Sequence, residues 1–117
     1  MIVIVDDDES VRSAIAGALK SFGLKSRSFA SAEEFLASGE KNLTACLITD
    51  IRMPGMSGLE LQARLVEQDT RIPIIFITSY GDARTRTQAM RAGAIGFLGK
   101  PFDDKVLLDC VRAALET

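Results

Sequence analysis

The sequence of 117 residues contains no histidine and no tryptophan, and only two cysteines. Without histidine, the chain itself supplies neither imidazole acid–base catalysis nor a phosphohistidine. The two cysteines argue against a zinc site, because Cys46 and Cys110 lack further ligands at suitable spacing. Each cysteine lies in an apolar segment, which predicts two buried, reduced thiols.

Long apolar runs and dense basic runs are also lacking. No apolar stretch approaches the ~18 residues that a membrane span needs, and acids follow the first five residues at once, unlike a signal peptide. We therefore expect a cytoplasmic protein without a membrane contact. The net charge is −2, from 14 basic and 16 acidic side chains. This balance predicts that the chain alone does not bind nucleic acid.

Short apolar runs alternate with amphipathic helical patterns along the whole chain. Strands are predicted at residues 2–5, 25–29, 43–49, 72–78 and 95–98. Helices follow each of them, with capping boxes at Ser31–Glu34 and Ser57–Glu60 and a cap at Asp103. Such alternation with short connections predicts an α/β fold, with a doubly wound, five-stranded parallel sheet and five helices. We assign residues 1–117 to this single domain.

Polar residues follow four of the predicted strands, at the edge of the sheet where such folds bind ligands. They are Asp6 and Asp7, then Asp50, then Thr78 and Ser79, then Lys100. Carboxylates placed together repel one another, and a hard divalent cation such as Mg²⁺ relieves the repulsion. A cation would keep Asp50 ionised as a nucleophile toward a phosphoryl donor. The Thr78 hydroxyl, the Ser79 backbone N–H and the Lys100 ammonium would then contact the phosphoryl oxygens.

Over its whole length the sequence resembles the receiver domains of two-component response regulators. The residues that carry the resemblance are Val5-Asp6-Asp7, Asp50-Ile51-Arg52-Met53-Pro54-Gly55-Met56-Ser57-Gly58, Thr78 and Phe97-Leu98-Gly99-Lys100-Pro101-Phe102. The resemblance implies the flavodoxin-like (βα)5 receiver fold. It also implies a phosphorylated, Mg²⁺-dependent (or Mn²⁺-dependent) signalling domain rather than a metabolic enzyme.

The resemblance assigns a role to each matching residue. It makes Asp50 the phosphoacceptor and a metal ligand, and Asp7 a direct metal ligand. Asp6 would bind the metal through water, and the backbone carbonyl of Arg52 would be a further ligand.

Three more roles follow from the same resemblance. Thr78 and Phe97 would form the conformational switch, and Lys100 would contact the phosphoryl group. The peptide bond between Lys100 and Pro101 would be cis.

The resemblance also implies partners. A sensor histidine kinase would donate the phosphoryl group. We also hypothesise that helix 4 and strand 5 form the output surface, because helix 4 has little apolar surface to bury. A phosphorylation-dependent homodimer through helix 4 and strand 5 would follow from a transcriptional output. The stretches Gly81-Asp82-Ala83-Arg84 and Ala92-Gly93-Ala94 resemble the receivers of nitrogen-fixation-type transcriptional regulators. A transcriptional output through a DNA-binding domain outside this chain is therefore the first interpretation. A stand-alone receiver or a hybrid-kinase receiver in a phosphorelay is the alternative.

Two further hypotheses concern the output helix and the lifetime of the phosphoryl group. Helix 4 has little apolar surface, so we expect it to dock weakly. Arg52 and Tyr80 should lie at the rim of the site and obstruct the water that hydrolyses the acyl phosphate. An aspartate-nucleophile phosphohydrolase is disfavoured, because such enzymes resemble one another in placing an acid where this chain has Arg52. A flavodoxin-like electron carrier is disfavoured because four acids after the first strand would repel the FMN phosphate.

Overall fold

The computed structural model describes residues 1–79 and 81–116, in which five strands alternate with five α-helices. The strands are β1 (Ile2–Val5), β2 (Ser26–Phe29), β3 (Cys46–Thr49), β4 (Ile74–Thr78) and β5 (Gly96–Gly99). The helices are α1 (Glu9–Ser21), α2 (Ala32–Ala37), α3 (Gly58–Glu67), α4 (Ala83–Arg91) and α5 (Asp104–Leu115). All pairings are parallel, in the order β2-β1-β3-β4-β5. The predicted doubly wound α/β fold is thereby confirmed.

The sheet separates two apolar clusters, because successive strand side chains point to opposite faces. Val3 and Val5 pack with residues of α2, α3 and α4, whereas Ile2 and Ile4 pack with residues of α1 and α5. Both faces of β1, β3 and β4 are buried. This explains why these strands are continuous apolar runs rather than alternating ones.

Three predicted strands begin too early, and one is displaced. The second begins at Ser26 rather than residue 25. The third strand begins at Cys46 rather than residue 43, because its neighbour β1 begins at Ile2, which pairs with Cys46. Leu43 instead ends a 3-10 turn, Lys41–Leu43, and is 67% exposed. The fourth strand begins at Ile74, after Pro73, which has no N–H to donate. The fifth runs one residue later than predicted, from Gly96 to Gly99.

The helix caps follow the predicted residues with one correction. Ser57 and Glu60 form a reciprocal capping box at α3. At α2, Ser31 accepts from the Glu34 N–H, but the Glu34 carboxylate accepts from Ala30 rather than from Ser31. The predicted box is therefore only half formed. Within the described residues, no helix is both long and apolar enough to cross a membrane.

The fourth helix has the small apolar face that its sequence predicts. In α4, Ala89 is buried, whereas Met90 is 39% exposed. Gln62 of α3 donates its side-chain N–H to the Ala89 carbonyl at 3.1 Å. The helix therefore packs through one small side chain and a polar contact.

Candidate functional site

The candidate site lies where the central strands β1 and β3 end. Val5 pairs with Thr49, so the next residues, Asp6 and Asp50, lie side by side. The Asp50 N–H donates to the Val5 carbonyl at 3.1 Å and continues the ladder by one bond. The chain leaves β1 toward β2 on one side and reaches β3 on the other, so this is the point where strand order reverses. Open α/β sheets bind their ligands at such points.

Three acids meet at this point. Ligand oxygens of Asp6, Asp7 and Asp50 all lie within 4.8 Å of one another. Asp6 and Asp50 are buried, while Asp7 is exposed. Burial raises the pKa of Asp6 above its ordinary value, and this outweighs the hydrogen bonds from the Asp8 N–H and from Lys100. A donor set made only of oxygens fits a hard divalent cation such as Mg²⁺.

Lys100 contacts two of these acids directly. Its Nζ donates to Asp50 Oδ2 at 2.8 Å and to Asp6 Oδ2 at 3.0 Å. Burial alone would lower the pKa of Lys100, but its hydrogen bonds to Asp50 and Asp6 outweigh burial and raise it. The lysine is therefore a fixed positive charge in the site. Its backbone N–H donates to the Thr78 carbonyl at 3.0 Å, and the peptide bond from Lys100 to Pro101 is cis.

The second oxygen of Asp50 is held by the turn that follows it. Asp50 Oδ1 accepts the Ile51 N–H at 2.6 Å. The first residue of α3, Gly58, donates to the Ile51 carbonyl at 2.8 Å. A Cβ atom on Gly58 would lie 2.1 Å from the Asp50 carbonyl oxygen, so a side chain there would displace the Asp50 backbone. The close start of α3 thus orients the carboxylate.

Thr78, Ser79 and Phe97 lie at the adjacent strand ends. Thr78 is buried at the end of β4, Ser79 is exposed just beyond it, and Phe97 is half-buried in β5. The Phe97 ring packs against Phe76, with 6.3 Å between ring centroids. A Cβ atom on Gly81 would lie 2.6 Å from Phe97 Cε1 and 3.3 Å from Thr78 Cγ2. The backbone at Gly81 therefore lies close to the Phe97 ring.

Of the two residues predicted at the rim of the site, Arg52 lies within the part of the chain that the structure describes. Arg52 is exposed on the loop after β3. The pKa of Asp82, the N-cap of α4, is lowered chiefly by the backbone N–H of Thr85 and also by the positive charges of Arg52 and Arg84. Tyr80 lies outside the described residues, so its place at the rim stays a prediction.

Two further contacts near the site were not predicted from the sequence. Arg12 donates from Nη1 to the Asp6 carbonyl at 2.7 Å, and Glu33 accepts from the Met56 N–H at 3.1 Å. Both side chains lie on helices whose patterns explain them as ordinary polar residues. For Gly58 and Gly81 a sequence signal exists, since glycine beside a functional residue often marks close backbone approach.

Comparison with known proteins gives one consistent family. Residues 2–112 match the profile of the "Response regulator receiver domain". Nodulation protein W of Bradyrhizobium diazoefficiens is 45% identical over 116 residues, which are 99% of this chain and 51% of that protein. Transcriptional regulatory protein FixJ of Azorhizobium caulinodans is 42% identical over 112 residues, 96% of this chain and 53% of that protein.

Solved structures of response regulators are similar to this chain over nearly its whole length. The response regulator StyR superposes with a TM-score of 0.90 at 44% identity, over 98% of this chain and 58% of that one. The crystal structure of FixJ-N gives a TM-score of 0.87 at 41% identity, over 98% of this chain and 92% of that one. The present chain spans about half the length of the curated relatives it matches.

Proposed function

Because this chain belongs to the response regulator receiver domain family, a family of signalling domains rather than dedicated enzymes, we propose that it accepts a phosphoryl group on Asp50. Residues 1–117 form the whole receiver in this proposal. The observation that carries it is the lysine-capped acid cluster, in which Lys100 bonds Asp50 and Asp6 beside Asp7. Carboxylates gathered around one ammonium at a strand-order reversal suit a cation and a transferred phosphoryl group.

The proposed donor is a phosphohistidine of a sensor histidine kinase. An Asp50 carboxylate oxygen attacks the phosphorus, a P–O bond forms and the P–N bond to the imidazole breaks. The imidazole nitrogen keeps the electron pair and takes up a proton. Asp7, Asp50, the Arg52 carbonyl and, through water, Asp6 would hold Mg²⁺ or Mn²⁺. A bound cation would offset the charges of the carboxylates and the phosphoryl oxygens.

The remaining residues would receive the transferred group. The Lys100 ammonium lies 2.8 Å from Asp50 Oδ2, so a short movement would let it donate to a phosphoryl oxygen. The Thr78 hydroxyl and the Ser79 backbone N–H follow the neighbouring strand and would donate to the others. A Thr78 side chain drawn toward the phosphoryl group would vacate space near Gly81, where a Cβ atom would lie 3.3 Å from Thr78 Cγ2 and 2.6 Å from Phe97 Cε1. The Phe97 ring could then occupy that space.

The output proposed is transcriptional and is transmitted through α4 and β5. Named relatives include transcriptional regulatory proteins, and this chain covers about half of each. The weakly packed α4 adjoins β5, which carries Phe97, and is suited to move with it. A phosphorylation-dependent homodimer through α4 and β5 would follow, and sizing with and without beryllofluoride and Mg²⁺ tests it.

Phosphorylation with a small phosphoramidate, which carries the same P–N bond, tests the central proposal without a cognate kinase. With Mg²⁺ we expect one hydroxylamine-labile phosphoryl group per chain by intact mass. Chelation by EDTA should prevent the modification, and so should Asp50→Asn. Labelling that persists in Asp50→Asn, or that needs no divalent cation, would contradict the proposal.

A further inference from the structure

The loop between β3 and α3 carries Arg52, whose backbone carbonyl is a proposed cation ligand. The first part of this loop is held in place by packing against the hydrophobic core. Ile51 and Met53 are only 8% and 9% exposed, and both pack in the cluster that includes Ala32 and Phe35 of α2. The side chain between them, Arg52, is exposed. Packing therefore fixes the two residues that flank the proposed ligand.

In the outer part of the loop, Pro54 and Gly55 have no such packing, whereas Met56 after them is half-buried against the same cluster. Pro54 and Gly55 are exposed, and Gly55 has φ of +76°, a left-handed conformation that favours glycine. At this turn the loop meets Glu33 from α2. Glu33 Oε2 accepts the Met56 N–H at 3.1 Å. The same oxygen lies where a Cβ atom on Gly55 would come within 2.3 Å of it, so the carboxylate lies directly against the turn.

We propose that Glu33 is a positioning residue for the cation site and holds the loop that presents the Arg52 carbonyl. This inference rests on the proposed function. A ligand on a loop that is ordered only when the cation arrives binds it more weakly, because ordering the loop costs conformational entropy. The Glu33 carboxylate makes a charge-assisted bond to the outer loop, while Ile51 and Met53 hold the inner part.

The placement of Glu33 favours this role over a purely local one. Glu33 lies in the first turn of α2, where the helix dipole favours its charge. Its neighbour Glu34 makes the local contact instead, because Glu34 Oε2 accepts the Ala30 N–H at 3.0 Å. The two adjacent glutamates therefore accept from different parts of the chain. Glu34 accepts the N–H of Ala30, just before its own helix, whereas Glu33 accepts the N–H of Met56, 23 residues further along.

Titration calorimetry with Mg²⁺ on the whole chain tests the role of Glu33. We expect Glu33→Ala to weaken Mg²⁺ binding by about 10-fold, the lower end of the loss seen when partners of metal ligands are removed. Glu33→Gln keeps an oxygen that accepts from Met56 and should stay within about threefold of wild type. Glu34→Ala is the matched control: it removes an acid from the same helical turn and should leave Mg²⁺ affinity unchanged.

Hydrogen exchange in the absence of metal gives an independent readout. The Met56 amide should exchange faster in Glu33→Ala than in wild type or in Glu34→Ala, because it has lost its acceptor. If Glu33→Ala fails to fold, Glu33→Asp serves, since it keeps the charge but withdraws the carboxylate by one methylene. It should weaken Mg²⁺ binding as well.

The possible outcomes distinguish a failure of this inference from a failure of the proposed function. Wild-type affinity for Mg²⁺ in Glu33→Ala or Glu33→Asp would overturn the role of Glu33 and leave phosphorylation of Asp50 intact. An equal loss of affinity in Glu34→Ala would also overturn it, because the effect would then come from α2 as a whole. A wild-type chain that binds no Mg²⁺ would overturn the proposed function, and the inference with it.

Discussion

Replacing Lys100 by methionine should destabilise the metal-free protein and increase its response to Mg²⁺. The substitution keeps most of the apolar stem and removes the ammonium that bonds Asp6 and Asp50. These carboxylates are almost wholly buried, at 2% and 10% side-chain exposure. Two negative charges would then share a buried site without the positive charge that touches both.

The size of the effect follows from the distances. At an effective dielectric constant of about 20, the ammonium attracts oxygens at 2.8 and 3.0 Å by roughly 6 kcal/mol each. Loss of hydration of the three charged groups offsets most of this attraction. We expect a net loss of about 3 kcal/mol in the free energy of unfolding at pH 7, typical of removing one partner of a buried pair. The melting temperature should fall by on the order of 10 °C.

Urea denaturation across pH, with and without Mg²⁺, measures this effect. Burial raises the pKa of Asp6 in the folded wild type, so the folded state binds this proton more tightly than the unfolded chain. Stability therefore falls as pH rises through the folded-state pKa of Asp6. Removing Lys100 should raise that pKa further, so the fall becomes larger and extends to higher pH. Mg²⁺ should recover more stability in the variant than in wild type, because the cation replaces the lost charge.

Lys105→Met supplies the control, since Lys105 is exposed on the first turn of α5. It should change stability by no more than about 0.5 kcal/mol. A Lys100→Met protein as stable as this control would refute the electrostatic reasoning. So would an equal stabilisation of wild type and Lys100→Met by Mg²⁺, because ammonium and cation would then not share the same carboxylates.

Three further predictions concern the switch, a buried thiol and the rim. Gly81→Ala should move the Phe97 ring, because its Cβ would lie 2.6 Å from Phe97 Cε1; unchanged Phe97 ring resonances in NMR spectra would contradict this. Cys46 should resist iodoacetamide at pH 8 until the protein unfolds, since burial raises its pKa to about 12; rapid native labelling would refute it. Arg52→Asn combined with Tyr80→Glu should speed autodephosphorylation, measured as loss of acyl phosphate, and an unchanged rate would exclude steric shielding.

The sequence predicts the fold and the meeting of the site residues because both follow from short-range rules. Apolar runs with helical patterns between them require a parallel sheet, and its carboxyl edge collects whatever follows each strand. Asp6, Asp50 and Lys100 meet for this reason, although Lys100 lies 94 residues from Asp6. Where the strands begin is less predictable. Leu43 is apolar yet exposed, because no strand residue lies opposite it before Ile2.

Contacts made by the far ends of side chains are not predictable in this way. The bond from Met56 to Glu33 depends on the rotamer of one glutamate and on a left-handed turn at Gly55. Glu34, next to it, has the same chemistry and makes a different contact. Both residues fit the sequence pattern of an acidic first helical turn equally well. Only the arrangement of α2 against the loop distinguishes them.

The charges of the site give a physical reason why phosphorylation would act on the proposed switch, Thr78 and Phe97. Three carboxylates and the ammonium that bonds two of them leave two negative charges, which one divalent cation would neutralise. Transfer of a phosphoryl group to Asp50 replaces a singly charged carboxylate by a doubly charged acyl phosphate, so one negative charge would again lack compensation. The hydroxyl of Thr78 and the N–H of Ser79 are uncharged donors next to this edge. The Thr78 methyl group and the Phe97 ring both lie near Gly81, within 3.3 Å and 2.6 Å of where a Cβ atom on it would be. The added charge would therefore be offset by drawing in Thr78, and the same movement would release the space that holds Phe97.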